Sequence, residues 1–324
     1  MIPVVGWSSV FAGDSNRIGT AGAQELLIPV GSRGVALGGS VVANCSGVDA
    51  IHWNPAGMGY LYEGTQAMFS HQPYIADINV EYVAAATNIE NFGVVGLSVK
   101  VVDVGTIEET TEQYPDGTGA TFNPTLTVIG LSWAKPLTSS VNFGFNTKFI
   151  RETIAEVSAT GMAFDFGFIY ESRFKGLTFG FAMKNYGPDM KFTGSGFDDV
   201  YEAVGKRAIS SHNSAFELPT SINLGVSYDL LANGPNAATV SGNFRANNQS
   251  DDYWQGGIEY SYDEKYFLRG GYTYSVQEGF IYGAAFGAGL VFPIGESNLS
   301  FEYCWAETDD ILGNNQFFTV SVGF

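Results

Sequence analysis

The chain has 324 residues, of which 15% are charged, 15% are aromatic and 41 are glycine. Soluble domains carry roughly 25% charged residues, so this composition favours a β structure in a membrane, with a soluble sandwich as the alternative. The formal net charge of −18 excludes the basic stripe that neutralises nucleic-acid phosphates, and no nucleic-acid partner is expected.

The first residues, 1–12, are apolar and are similar to the end of a secretory signal without its basic start, so the sequence leaves open where a signal peptide ends. No apolar run reaches the roughly 18 residues that a membrane-spanning helix needs. Cys45 and Cys304 are too few for a disulfide framework. Two sheltered thiols are expected, and one bridge between them is the alternative.

The stretch Gly31–Tyr60 differs from everything after it. It is rich in Gly and Ala, lacks β alternation, and ends in the compact turn Trp53-Asn54-Pro55-Ala56-Gly57. Just before it, residues 24–30 fit either a strand or a helical turn, and residues 35–44 fit either a short helix or a hairpin. We interpret residues 1–64 as an N-terminal segment with a plug, and residues 65–324 as a barrel around it.

From residue 65 onward the chain alternates with a period of two, which is typical of β-strands. Between Ser158 and Tyr170, for example, one face carries Met and Phe while the other carries Ala, Gly and Asp165. The pattern predicts an all-β protein, a 14-stranded antiparallel transmembrane barrel, because bacterial barrels have even strand numbers. The strands are expected near residues 65–72, 77–88, 92–104, 124–134, 139–151, 157–171, 177–187, 219–229, 237–247, 253–262, 265–276, 281–293, 297–306 and 315–324.

The second face of these strands is small or polar, with isolated charges. A soluble protein would place many Lys and Glu residues there, so the composition favours an enclosed polar lumen with the apolar face toward lipid. The charges either line a transport path or hold the N-terminal segment inside, and we prefer the second because buried charges need partners. They are Lys100, Lys148, Asp165, Lys184, Arg245, Glu259, Arg269 and Glu302.

Aromatic residues near strand ends fit the girdles at membrane interfaces, with ordinary core aromatics as the alternative. They are Trp133, Tyr170, Tyr186, Trp254, Tyr262 and Trp305. Short and long connections also alternate along the chain. The long or acidic ones (residues 105–123, 187–218 and 307–314) would therefore all lie at the same end of the predicted barrel. Asp198-Asp199 and Asp309-Asp310 in these connections fit either weak calcium ligands or solvated acids, and we favour the latter.

The sequence contains no recognisable set of catalytic residues. His52, His71 and His212 are far apart and none has zinc-site spacing. The sequence has no nucleophile elbow, and the Gly-rich stretch lacks the Gly-Lys-Ser/Thr of a phosphate loop. We therefore predict no catalytic residue, no metal and no cofactor, and a protein that is not an enzyme.

The last strand alternates to its end and resembles the C-terminal signal that the barrel-assembly machinery reads in outer-membrane proteins. Phe318, Val320, Val322 and Phe324 would form that signal.

Residues 31–40 and 50–57 resemble the N-terminal signature of the PorV/PorQ-type outer-membrane proteins, within the FadL-like superfamily. The matching residues are Arg33, Gly38, Gly39, Trp53, Asn54, Pro55, Ala56 and Gly57. The resemblance implies a 14-stranded barrel in the outer membrane of a Gram-negative bacterium, with the N-terminal segment packed in its lumen. It also implies a role in type IX protein secretion. The partners would be a large translocon barrel and secreted cargo, which passes to the cell-surface attachment machinery.

Two other functions remain open. One is a FadL-like passive channel for hydrophobic small molecules, which needs an apolar pocket and a lateral opening that Gly or Pro in a strand could mark. The small, polar inner faces disfavour such a pocket. The other is a structural barrel without transport.

Overall fold

The computed structural model describes residues 17–197, 213–276, 280–308 and 313–324. Its main sheet is a closed barrel of fourteen antiparallel strands, in which each strand pairs with its neighbours in the chain and β14 pairs with β1. The strands are β1 Thr65–Pro73, β2 Asn79–Ile89, β3 Gly93–Asp103, β4 Thr125–Pro136, β5 Val141–Ile154, β6 Val157–Glu171, β7 Leu177–Tyr186, β8 Ser221–Asn233, β9 Asn236–Asn247, β10 Tyr253–Tyr262, β11 Tyr266–Ser275, β12 Ala284–Ile294, β13 Ser297–Ala306 and β14 Asn315–Gly323.

The alternating sequence produces two different barrel faces. In β6 the large side chains of Met162, Phe168 and Tyr170 are exposed on the outside, whereas Ala163 and Asp165 are buried inside. Closing the sheet pairs the backbone groups of every strand, which the hydrocarbon core of a membrane demands. The prediction of a 14-stranded barrel with an apolar outer face and a small or polar inner face is confirmed.

The two ends of the barrel differ. One, here the turn end, holds Thr65, Phe324 and the six connections 90–92, 137–140, 172–176, 234–235, 263–265 and 295–296. The other, the loop end, holds the remaining connections, including the long ones predicted from sequence. Two short strands, Ile107–Glu108 and Thr121–Phe122, form a hairpin there, and Phe192–Gly194 extends the edge of β6. The acid pairs 198–199 and 309–310 lie outside the described residues.

The six predicted girdle aromatics divide evenly between these ends. Trp133, Tyr170 and Tyr262 are near the turn end, and Tyr186, Trp254 and Trp305 are near the loop end.

The plug, residues 22–61, fills the lumen with short helical pieces. These are 3-10 turns at Gln24–Leu27, Gly47–Asp49 and Pro55–Tyr60, and the α-helices α1 Ser32–Ala36 and α2 Ala50–Trp53. Residues 24–30 thus contain a helical turn, and residues 35–44 contain the end of a helix and no hairpin. The helix stops because Gly38 and Gly39 adopt positive φ angles of 63° and 78°, a conformation that glycine tolerates best.

The plug also supplies half of the main hydrophobic cluster, and the strands supply the other half. Leu37, Val41, Ile51 and Met58 are fully buried against the barrel wall. Cys45 and Cys304 are both buried and free, so the prediction of sheltered thiols is confirmed. Within the described ranges, no helix is both long and apolar enough to cross a membrane.

Candidate functional site

The plug contacts the barrel wall at glycine residues, where the wall carries no side chains. Three cross-strand glycine pairs form these places: Gly144 with Gly167, Gly180 with Gly225, and Gly257 with Gly271. At Gly144, Gly180 and Gly271 an added Cβ atom would overlap the plug backbone, and at Gly167 it would overlap the side-chain oxygen of Asn54. The small inner residues of the strands therefore let two backbones approach directly.

Asn54 joins the plug to two strands of the wall. Its Nδ2 donates to the carbonyl of Val42 at 2.8 Å and to the carbonyls of Phe168 and Phe181 at 3.3 Å each, while its Oδ1 accepts from Ala56 N at 3.2 Å. The following Pro55 starts a 3-10 turn, where its missing N–H costs nothing. Asn54 is fully buried, and these bonds satisfy both the donor and the acceptor of its side-chain amide.

The remaining residues of the predicted motif support the same packing. The ring of Trp53 covers Gly34, and Gly57 sits against the carbonyl of Cys45. Gly38 lies against the backbone of Tyr272, and Gly39 lies against the side chain of Gln255.

Four charged residues hold the plug at β10, β11 and β13. Arg33 in α1 binds Glu259 through two hydrogen bonds, of 3.0 and 3.1 Å. Arg269 binds the same carboxylate at 2.5 Å and Glu302 at 3.0 Å. Paired charges of this kind offset the desolvation that burial imposes on each of them.

Asp49 lies beside this network. Its Oδ2 is sealed from solvent and has no hydrogen-bond partner among the residues that the structure describes. Burial raises the pKa of Asp49 to about 7, and Glu302 and Glu259 add to the rise while Arg33 and Arg269 oppose it.

A second group of charges lies between β3 and β7. Lys148 Nζ is 2.6 Å from Asp165 Oδ2 and donates to Asn185 Oδ1 at 2.7 Å. Asn185 has a positive φ of 58°, and the pairing of β6 with β7 shifts register there. Lys100 donates to the backbone carbonyls of Glu25 and Ile28, which ties the first helical turn of the plug to β3.

Glu25, in that first turn, is almost completely buried, and within the described part of the chain its Oε1 has no hydrogen-bond partner. Burial raises the pKa of Glu25 to about 8, and the neighbouring Glu152 carboxylate adds to the rise. The plug therefore carries two acids that favour the protonated form.

A cavity of about 530 Å³ lies at the loop end of the lumen, here the loop-end cavity. Its walls are mostly apolar and aromatic, and they include Leu27, Ile28, Val35, Trp53, Tyr74, Ile75, Ile78, Val102, Leu126, Tyr253, Phe280, Ile281 and Tyr282. The expectation that small, polar inner faces disfavour an apolar pocket is wrong. The lining comes mainly from the plug, the connections and the strand ends, which the strand alternation does not describe.

Two basic residues from the strands reach this cavity. Lys184 Nζ lies 5.7 Å from the centre of the Trp53 ring, and the Arg245 guanidinium lies 5.5 Å from the centre of the Tyr253 ring. Within the described ranges neither forms an ion pair. The eight predicted lumen charges therefore divide into the plug network, the Lys100–Lys148–Asp165 group, and these two basic residues in the cavity.

Two connections meet above the cavity. The hydroxyls of Tyr74 and Tyr282 are hydrogen-bonded at 2.8 Å, and the Phe280 ring packs on Tyr253 with 4.9 Å between centroids. These contacts join the β1–β2 connection to the β11–β12 connection across the mouth.

A second cavity of about 530 Å³ lies at the turn end, here the turn-end cavity. It is more polar and is bordered by plug residues 43–46 and Tyr60 and by barrel residues that include Glu171, Lys175, Thr178, Ser227 and Asp229. Among the residues that the structure describes, no group of three or more His, Cys, Asp or Glu side chains is arranged to hold a metal ion.

Comparisons with known proteins support the fold. The model of an uncharacterised protein family, UPF0164, matches residues 3–236. No curated protein matches the sequence. The CymD monoaromatic hydrocarbon channel is 13% identical, with a TM-score of 0.59 over 92% of this chain and 97% of that chain.

Two further solved structures are similar to the same extent. The toluene transporter TbuX of Ralstonia pickettii is 13% identical, with a TM-score of 0.58 over 90% of this chain and 97% of that chain. A FadL homologue of Pseudomonas aeruginosa is 13% identical, with a TM-score of 0.57 over 92% of this chain and 98% of that chain. At such identities the likeness shows a FadL-like barrel fold.

Proposed function

Because this chain belongs to the uncharacterised protein family UPF0164 and has a FadL-like barrel fold, we propose that it is an outer-membrane channel for hydrophobic small molecules that carry an acidic group. The observation that carries this proposal is the loop-end cavity, a mostly apolar chamber. It is lined by Lys184 and Arg245, which form no ion pair within the described ranges, and also by the acids Glu25 and Glu307. The structures with similar folds bear the names of a monoaromatic hydrocarbon channel and of toluene transporters, which supports a hydrophobic substrate.

The size and lining of the loop-end cavity agree with a small ligand. Sites for small molecules measure about 300–1,000 Å³ and are mostly apolar with a few placed polar groups, and this cavity has about 530 Å³. A folded protein does not fit such a space.

Lys184 and Arg245 narrow the chemistry of the ligand. Arg245 donates a hydrogen bond to Asn247 Oδ1 at 2.9 Å, but a basic group taken out of water without an opposite charge is still costly. A carboxylate beside Lys184 and Arg245 would supply that charge. A neutral hydrocarbon would be bound only through its contacts with the aromatic walls and would make no use of the two basic groups. We therefore favour an amphipathic acid, with its tail among Trp53, Ile75 and Phe280 and its acidic group near the two basic residues.

The test compares decanoate with toluene as substrates. The wild type, Lys184→Met and Arg245→Met are expressed in a Gram-negative host that lacks its own channel for such compounds, and uptake of each radiolabelled compound is measured. Each substitution should lower decanoate uptake about tenfold, the effect of roughly 1.4 kcal/mol, and leave toluene uptake unchanged. The control Lys265→Met, in an exposed pair with Asp263 at the turn end, should change neither.

Two results would contradict the proposal. If cells that express the wild type take up decanoate and toluene no faster than the empty host does, the protein is not a channel for these compounds. An equal loss of decanoate and toluene uptake in both cavity variants would mean that Lys184 and Arg245 support the fold and do not select the ligand.

The secretion role remains a second candidate, because residues 31–40 and 50–57, on which the resemblance to PorV/PorQ-type proteins rests, lie in the plug, where Asn54 bonds to the wall. In that role the long loop-end connections would meet a translocon barrel or secreted cargo. Isolation from native membranes separates the two candidates. Co-purification of a very large barrel or of secreted proteins would favour secretion, and a bound amphipathic acid in a protein isolated alone would favour the channel.

A further inference from the structure

A small cavity lies between the plug and the inner faces of β2, β3, β4 and β5. Its volume is about 20 Å³, and a cavity needs about 10–15 Å³ to hold one water molecule. Leu26, Ile51 and His52 of the plug cover it, and the wall lines it mainly with polar side chains. The space therefore fits a single small species, either a water molecule or a monatomic ion.

The register of the strands brings hydrogen-bond donors to this cavity. Tyr82 on β2 lies opposite Lys100 on β3. Ser98 on β3 and Lys148 on β5 both lie opposite Gly130 on β4. All four polar side chains line the cavity and are more than nine-tenths buried. A species inside it is therefore surrounded by two ammonium groups and two hydroxyl groups.

The hydroxyl group of Tyr82 has no acceptor in the protein. Its Oη is sealed from solvent and has no hydrogen-bond partner among the residues that the structure describes. A buried O–H group without a partner loses the hydrogen bond that water would have given it. An acceptor inside the cavity would restore that bond.

Lys100 has hydrogen bonds but no ion pair. Its Nζ donates to the backbone carbonyls of Glu25 and Ile28, and an ammonium group carries a third proton. Within the described ranges no carboxylate lies at ion-pair distance from Lys100. A buried charge without a counter-charge is costly, so this site favours a negatively charged occupant.

The neighbouring acids do not supply that counter-charge. Asp165 is bound to Lys148 at 2.6 Å through Oδ2, and its Oδ1 accepts from the backbone N–H of Asn185 at 2.8 Å. Glu25 favours the protonated form, because burial raises its pKa to about 8. The positive charge of Lys100 therefore remains in excess.

His52, on the plug side of the cavity, is exposed to the same positive charge. Burial lowers the pKa of His52 well below its usual range, and the charges of four basic residues lower it further: Lys184, Lys100, Lys148 and Arg245. The ring is therefore neutral at pH 7. A neutral imidazole can donate one N–H bond and adds no charge of its own.

From these observations we propose that the small cavity is a binding site for one monatomic anion of the halide class, chloride in the cell, held by the ammonium group of Lys100 and the hydroxyl group of Tyr82. A water molecule could accept the Tyr82 hydrogen bond but would leave the charge of Lys100 uncompensated, whereas an anion does both. The ion would join the plug to β2 and β3. The site does not depend on the proposed channel function.

Bromide, which replaces chloride and scatters anomalously, tests the site directly. The wild type is crystallised in sodium bromide, and diffraction is measured at the bromine absorption edge. An anomalous peak is expected between Lys100 Nζ and Tyr82 Oη. Electron density of a water molecule at this position, without an anomalous peak, would overturn the proposal.

The second test measures unfolding temperature in detergent, in sodium chloride and in sodium gluconate of equal ionic strength. Gluconate is too large for the cavity. The wild type should unfold about 3 °C or more higher in chloride, since an anion at about ten times its dissociation constant stabilises the folded state that binds it. Equal unfolding temperatures in the two salts would contradict the site.

Variants distinguish this site from general salt effects. Lys100→Met should abolish the difference between the two salts, and Tyr82→Phe, which keeps the ring and the nearby charge, should reduce it. The controls are Lys265→Met, in an exposed ion pair, and Tyr228→Phe, on the exposed outer face, and both should keep the full difference. If Lys100→Met does not fold, Tyr82→Phe and the bromide peak decide. A full difference in Tyr82→Phe and in every folded variant would show that chloride acts elsewhere.

Discussion

At the scale of single residues, the plug is held by a few side chains that bond to backbone or to buried charges. Asn54 alone contacts three carbonyl groups and one backbone N–H. The sequence marks Asn54 through its place before Pro55, but not its partners, because Phe168 and Phe181 are more than 100 residues away. A short motif predicts a local turn, and the fold decides what that turn contacts.

Asp49 leads to a prediction about pH. The pKa of this acid rises from 3.8 to about 7 in the folded protein, so the folded state binds the proton more tightly than the unfolded state does. Its contribution to stability is therefore complete below about pH 4 and is lost as the pH rises through about 7. We expect a lower unfolding temperature in detergent at about pH 8 than at about pH 5.

Replacement of this carboxyl separates its effect from those of other acids. Asp49→Asn should reduce the loss of stability between the two pH values, whereas the exposed Glu63→Gln should leave it unchanged. Glu25, whose pKa is also raised, should keep part of the pH dependence in Asp49→Asn. An unaltered pH profile in Asp49→Asn would show that this acid does not couple protons to folding.

At the scale of elements, glycines on the inner face of the strands leave the space that the plug backbone occupies. Gly180 provides a direct test, because a Cβ atom there would overlap the Val42 carbonyl. Gly180→Ala should cost roughly 1–3 kcal/mol of plug docking through overpacking and should make the barrel conduct ions in planar bilayers. The wild type should stay closed.

A glycine two strands away, in β9, gives the control. At Gly242 the nearest atoms to an added Cβ are 3.8 Å away, so Gly242→Ala should remain closed and fold normally. Conductance that is equal in the two variants would show that the contact of Gly180 with Val42 does not hold the plug in place.

How far these elements could be predicted depends on whether periodicity describes them. The strands follow from alternation, and their ends differ from prediction by a few residues at most. The loop-end cavity could not be predicted, because its walls join plug residues such as Trp53 to loop residues such as Ile75 and Phe280, which share no period. The sequence shows Lys184 and Arg245 as isolated charges on a small-residue face. That neither forms an ion pair within the described ranges is evident only once the register of distant strands is known.

At the scale of the whole molecule, the barrel closes where its first and last strands pair. Thr65 and Phe324 exchange backbone hydrogen bonds of 2.7 and 2.9 Å at this seam. Phe318, Val320, Val322 and Phe324 lie on the outer face of β14 and its end, and Phe324 is 63% exposed.

The role of Phe324 as an assembly signal remains a prediction. Phe324→Ala should lower the yield of folded barrel in membranes, because the aromatic side chain would be the feature that the assembly machinery reads. Phe292→Ala removes a similarly exposed outer Phe near the same end and should have little effect. The measurement is the heat-modifiable fraction on a gel, and equal yields for the two variants would contradict the signal.

The glycine pairs of the wall have a consequence for biosynthesis. Plug backbone in contact with wall backbone leaves no clearance for a folded plug to thread into a finished cylinder. The plug precedes β1 in the chain, and the seam joins β1 to β14, so the last strand must close around a plug that is already in position. A barrel made without residues 22–61 should therefore stay empty when the same residues are later added as a separate peptide.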